Sequence, residues 1–169
     1  MAHTLDGIIS LYKKTFHTED DASIALVAAV LVGSRLKVPP TWVHIIGPTS
    51  GGKSTLLEAF SAVDFVTQVS DVTPNTFLSG MSSSAGETSL LLRLGPEFTI
   101  FMKDFTTILS KSDETQESII AQMREIYDGS MVKITGTGKT IGWPGDGGKG
   151  HATFVMAVTE AVFAMQDKF

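Results

Sequence analysis

Apolar positions in the first part of the chain recur with a helical period. Leu5, Ile8, Ile9, Tyr12 and Phe16 fall at i, i+3, i+4, i+7 and i+11, and Thr4 stands where a cap belongs, so the spacing predicts a helix from Leu5. Thr18-Glu19-Asp20-Asp21 opens a second helix over about 20–36, with acids set against the positive end of its dipole. Its apolar positions run nearly all the way round, which predicts cover from other elements. Val38-Pro39-Pro40 ends it. The β-branched run Val43, Ile45, Ile46 then predicts a strand, and Leu56, Leu57 and Phe60 mark an amphipathic helix ending near Val63. Residues 64–70 alternate as a second strand. Thr73-Pro74-Asn75 opens a short helix or turn, and residues 79–84 are small, polar and expected to be mobile.

Further along, Leu90 to Leu94 fits either a helix or a strand. Phe98 to Asp104 reads as a strand with Asp104 at its C-terminal end. A helix capped by Ser112 or Asp113 follows to about Tyr127, buried through Ile119, Ile120, Met123, Ile126 and Tyr127. Two β-rich runs, 131–135 and 139–143, flank Gly136-Thr137-Gly138 and predict a hairpin with a three-residue loop. A flexible stretch over 144–150 leads to a last strand, 152–158, ending in Thr159-Glu160. Strands separated by helices imply an α/β fold: a mainly parallel sheet with helices on both faces and a hairpin inserted before the last strand. The expected organisation is one domain over 1–169, with a helical segment to residue 38 and a core over 39–160.

Composition narrows the class. The chain has 169 residues, 43 % of them hydrophobic, enough for a full core. With no cysteine there are no disulfides and no thiolate metal sites. A formal net charge of −5 gives no bulk electrostatic drive toward nucleic acid, leaving only a local basic edge. The N-terminus lacks the basic region of a signal peptide, and the longest apolar run, residues 24–32, is about half a membrane span, so the expectation is a soluble, cytoplasmic protein.

The chemistry lies between the first strand and its helix. Gly47-Pro48-Thr49-Ser50-Gly51-Gly52-Lys53-Ser54 fits G-x-x-x-x-G-K-[ST], with Thr55 following. Glycines there let backbone N–H groups turn inward around phosphate oxygens, and the helix N-terminus faces the same anion. Lys53 would reach the β- and γ-phosphates of ATP, and the Ser54 hydroxyl would ligate Mg²⁺. A second Mg²⁺ ligand is expected at the end of a hydrophobic strand beside the loop strand, and Asp104 has that character. Where a water-orienting Glu often follows, Phe105 stands instead, which leaves Asp71 and Glu160 as other carboxylate candidates. Thr159 could act as a polar sensor of the γ-phosphate. His44, inside the loop strand, reads as packed or satisfied, and the other histidines share no metal-ligand spacing.

On these motifs the chain resembles the AAA+ branch of P-loop ATPases over about residues 40–160. Gly47 to Ser54 matches the Walker A motif and Phe98 to Asp104 the Walker B. The wording of 72–80, 103–107 and 124–129 is similar to phage and mobile-element ATPases associated with helicases or primases. The resemblance implies a three-layer P-loop NTPase sandwich, ATP and Mg²⁺ as cofactors, and DNA as a partner of a homo-oligomeric ring. In helicase branches a hairpin before the sensor strand grips DNA. The 131–143 hairpin occupies that place, with Lys133, Lys139 and Lys149 as local positive charge. The resemblance also implies an arginine from a neighbouring subunit, for which Arg93 and Arg124 are candidates, and a helical lid for which no segment is evident. Two other readings stand beside the ATPase: a nucleotide-gated scaffold with little turnover, and a small P-loop kinase, disfavoured by only three arginines.

Overall fold

The structure, a computed structural model, describes residues 4–36, 38–80, 82, 83, 86, 87, 89–136, 138–145 and 147–163. The two N-terminal helices form where expected. Helix α1 (Leu5–Phe16) is capped by Thr4, whose hydroxyl accepts the Gly7 N–H at 3.2 Å, and α2 (Asp21–Gly33) by Asp20, which accepts the Ser23 N–H at 3.0 Å. No residue of α1 is fully buried; Ile8, Ile9 and Tyr12 pack partly buried against the core. One expectation is corrected here. Cover over α2 is one-sided: Ile24, Val27, Val30 and Leu31 are buried, while Leu26 and Val32 are open to solvent. The helix ends at Gly33, where Ser34 turns its hydroxyl back onto the Leu31 carbonyl.

The centre is a four-stranded parallel sheet of β1 (Trp42–Ile46), β2 (Val66–Val69), β5 (Glu97–Met102) and β8 (His151–Val158), in the order β1-β8-β5-β2. The inner strands β5 and β8 are buried over nearly their whole length, which explains why they read as continuous apolar runs rather than alternating ones. Alternate residues feed two clusters. Phe101, Val155 and Ala157 pack with α2 and with Leu56 and Leu57 of α3 (Lys53–Ala59). On the opposite side Ile100, Met102, Phe154 and Met156 pack with Leu91 of α4 (Leu90–Leu94) and with Ile119, Met123 and Ile126 of α6 (Asp113–Tyr127). The 90–94 ambiguity thus resolves as helix. Tyr127, expected inside, is half exposed at the end of α6.

Several boundaries are shorter than the pattern predicts. Helix α3 stops at Ala59, and residues 60–63 close turns onto 57, 58 and 60. Strand β5 stops at Met102, because the chain then crosses β8: the Phe105 N–H donates to the Ala157 carbonyl at 2.8 Å. Asp104 therefore lies in the turn before α5 (Thr106–Leu109), not in the strand. The 73–76 segment is a turn. In the polar 79–88 region a short pairing joins β3 (Ser82–Ser83) to β4 (Gly86–Glu87), and the expectation for 81 and 84 lies outside the described residues.

The hairpin forms as β6 (Met131–Ile134) and β7 (Thr140–Trp143), a sheet of its own. Its inward residues Met131, Ile141 and Trp143 are buried, and the Trp143 indole N–H donates to the Gly95 carbonyl at 2.6 Å. Gly150 makes that seat possible: a Cβ there would stand 2.2 Å from the Trp143 ring. Gly150→Ala is expected to displace the indole and destabilise the fold by about 1–3 kcal/mol, read as a lower urea midpoint at unchanged slope.

Candidate nucleotide-binding site

The loop 47–52 joins the C-terminal end of β1 to the N-terminus of α3, at the edge of a parallel sheet where ligands commonly bind. Its first residue is tied to the last strand: the Gly47 N–H donates to the Val158 carbonyl at 3.3 Å. A turn closes within the loop, from the Gly51 N–H to the Pro48 carbonyl at 3.1 Å. Gly52, at φ 77, is the helix cap in left-handed geometry, which a side chain would strain; Ser50 shares that region at φ 64. Lys53 folds back over the loop, donating to the Gly47 and Pro48 carbonyls at 2.8 and 2.6 Å. Thr49, Ser50, Gly51 and Thr55 are exposed around it.

The turn that carries Asp104 meets the start of α3 by a route the spacing did not foresee. Its strand is not beside the loop strand; β8 lies between them. Yet the Ser54 hydroxyl donates to the Lys103 carbonyl at 3.2 Å, so α3 abuts the turn that carries Asp104. Lys103 also forms an ion pair with Glu58 of α3 across the same contact, at 3.6 Å. The Asp104 Oδ1 accepts the Thr106 N–H at 3.0 Å. Thr106 in turn holds Thr159, accepting its N–H at 3.1 Å and donating to its hydroxyl at 3.3 Å. Three of the expected side chains, Ser54, Asp104 and Thr159, thus border one end of the sheet. Thr106, which joins two of them, was missed. Its signal was a hydroxyl residue two positions after the candidate carboxylate.

The other carboxylates differ in availability. Asp71 places both oxygens on the Lys111 ammonium, at 3.0 and 3.1 Å, whereas Glu160 is exposed just beyond Thr159. Phe105 is fully buried. No group of three His, Asp or Glu side chains converges among the described residues. Ser54 and Asp104 are hard oxygen donors of the kind that complete a Mg²⁺ shell otherwise made of phosphate and water.

The loop borders a cavity of about 330 Å³ whose far wall is α1 and the start of α2, including Tyr12, Phe16, Thr18 and Asp20. Sequence spacing placed these aromatics on one helix face without saying what that face meets. A second cavity, about 410 Å³, is lined by Trp42, His44, Phe105, Met123, Arg124 and Tyr127 among others and contains no residue of the loop. There His44 keeps part of its surface in water, its ring 5.4 Å from that of Phe105, and partial burial holds its pKa below the usual imidazole value. Arg93 is exposed.

The hairpin lysines part company. Lys133 is engaged inside the molecule, donating to the Pro74 and Leu78 carbonyls at 3.1 Å each and to Asn75 Oδ1 at 2.7 Å. Lys139 and Lys149 are exposed. Comparison with known proteins returned neither a matching family model nor a matching curated protein. No helix among the described residues is long and apolar enough to cross a membrane.

Proposed function

We propose that the chain is a P-loop ATPase core, a three-layer α/β/α nucleotide-binding fold that takes ATP with Mg²⁺. It would couple hydrolysis to unwinding, translocation or remodelling of nucleic acid, as a homo-oligomer. The supporting observation is the contact of Ser54 with the Lys103 carbonyl at 3.2 Å, because it sets the last residue of the loop motif against the turn bearing Asp104. On binding, Lys53 would exchange two loop carbonyls for phosphate oxygens, and the N–H groups of 50–54 would face the same anion. Ser54 and Asp104 would hold Mg²⁺, which supplies charge neutralisation between phosphate oxygens. Thr106 would keep Thr159 and Asp104 in fixed relation.

A second reading, a nucleotide-gated scaffold with little turnover, is favoured by the wholly buried Phe105 where a water-orienting carboxylate often stands. Phosphate release measured with ATP alone, with single-stranded DNA and with small phosphate acceptors separates the cases. DNA-stimulated release supports the motor, binding without release the scaffold, and transfer to an acceptor a kinase.

The lysine arrangement refines the hairpin's expected part. Lys139→Ala is expected to lower the salt slope of DNA binding by about one. Lys133→Ala is instead expected to destabilise the fold by about 1–3 kcal/mol, as it takes the ammonium from the part-buried Leu78 carbonyl and leaves the Pro74 carbonyl with Gln122 alone. An unchanged slope in the Lys139 variant would remove the hairpin from the DNA surface.

A further inference from the structure

The cavity beside the loop has a wall that phosphate chemistry does not need. Tyr12 and Phe16, one turn apart on α1, hold their rings 4.6 Å apart at 37°. Phe16 is 41 % exposed although it faces the loop across the cavity, and Ile46, at the mouth of the loop, is equally open at 41 %. Large apolar surfaces left wet beside a phosphate-binding loop are available for a flat ring. Polar groups sit at the same wall. The Thr18 hydroxyl accepts the Asp20 N–H at 3.1 Å, and one Asp20 oxygen accepts the Ser23 N–H at 3.0 Å. Burial and the neighbouring Asp20 charge both raise the Tyr12 pKa, so its hydroxyl stays protonated and able to donate. The volume, about 330 Å³, is in the range of small-ligand sites.

Resting on the phosphate-loop reading above, we infer that α1 and the start of α2 form the base-recognition wall of the site. A purine ring lies against Tyr12, Phe16 and Ile46 with an amino edge toward Asp20, while Gly47–Ser54 holds the phosphates. The chemistry selects a purine because its larger face covers more of the aromatic pair, and an amino-bearing edge because Asp20 only accepts. The helical segment is then part of the ligand site and not merely cover for the sheet.

The test uses the full chain with Mg²⁺. Competition against a fluorescent ATP analogue compares ATP, GTP, UTP and inorganic triphosphate. In parallel, 8-azido-ATP photolabelling followed by peptide mapping locates the ring. Purine triphosphates are expected to compete about tenfold better than UTP or inorganic triphosphate. The label is expected within residues 4–24. Phe16→Ala is expected to bring ATP about tenfold closer to inorganic triphosphate, with binding of the latter unchanged. Equal competition by ATP and inorganic triphosphate, or a label mapping to other peptides, such as those carrying Trp42 and Tyr127, would overturn the inference while leaving the phosphate loop intact. Absence of binding by every triphosphate, the inorganic one included, would instead remove the phosphate-loop reading. If Phe16→Ala fails to fold, the competition series and label position on the unaltered chain decide the question.

Discussion

Lys53→Ala is expected to weaken ATP binding by about a hundredfold or more. The ammonium would supply charge-assisted hydrogen bonds to the β- and γ-phosphates, each worth about 1.5–3 kcal/mol, and two such bonds convert to that loss of affinity. In the structure the side chain caps the Gly47 and Pro48 carbonyls at 2.8 and 2.6 Å. Pro48 is exposed, so water replaces the ammonium there, and the variant is expected to melt within a few degrees of the parent. Calorimetric titration with ATP and Mg²⁺, set beside a thermal melt, separates the two effects. Unchanged affinity in a folded variant would sink the assignment of this loop to phosphate. A large fall in melting temperature would show that Lys53 chiefly holds the loop together.

Much of the fold was legible because its elements announce themselves locally. Thr4 caps the helix it was expected to cap, Asp20 caps α2 from within the acidic run expected to open it, and the hairpin turn lies between the two runs that flank Gly136-Thr137-Gly138. Continuous apolar runs in β5 and β8 reflect burial on both faces, which a parallel sheet imposes. Strand order was not legible. It depends on which crossovers pass over which face, and the candidate magnesium carboxylate was expected on a neighbour of β1, whereas β8 separates β1 from β5. Asp104 nonetheless lies near Ser54, because the β5 chain bends across the end of β8 as soon as the ladder stops.

Side-chain commitments were equally hidden. Lys133 and Lys139 look alike in a hairpin pattern, but one lies within the paired strand β6 and the other is exposed at the turn end, before β7 begins. Lys133 shares the inward face with the buried Met131 and Ile141, where carbonyls of the 74–78 turn await a donor. The helical spacing of Tyr12 and Phe16 likewise could not distinguish a core face from the wall of a cavity. One-sided cover of α2 has the same origin, since a nearly all-round apolar helix states no preferred face.

Asp104 is the residue on which the step from binding to chemistry turns, and two substitutions separate its possible contributions. Asp104→Ala removes the charge together with the acceptor of the Thr106 N–H, loosening the link through Thr106 to Thr159. Asp104→Asn keeps an oxygen for that N–H and removes only the charge. If the carboxylate holds Mg²⁺, both variants are expected to lose the metal response. The difference between ATP affinities with and without Mg²⁺ should shrink by about tenfold or more, and phosphate release should fall with it. If Asp104 acts instead by fixing Thr106, only the alanine variant is affected and Asn restores the parent behaviour. A normal metal response in both would place the carboxylate elsewhere. Asp71 is already committed to Lys111 through both oxygens, so Glu160, exposed immediately after Thr159, would be the next residue to replace.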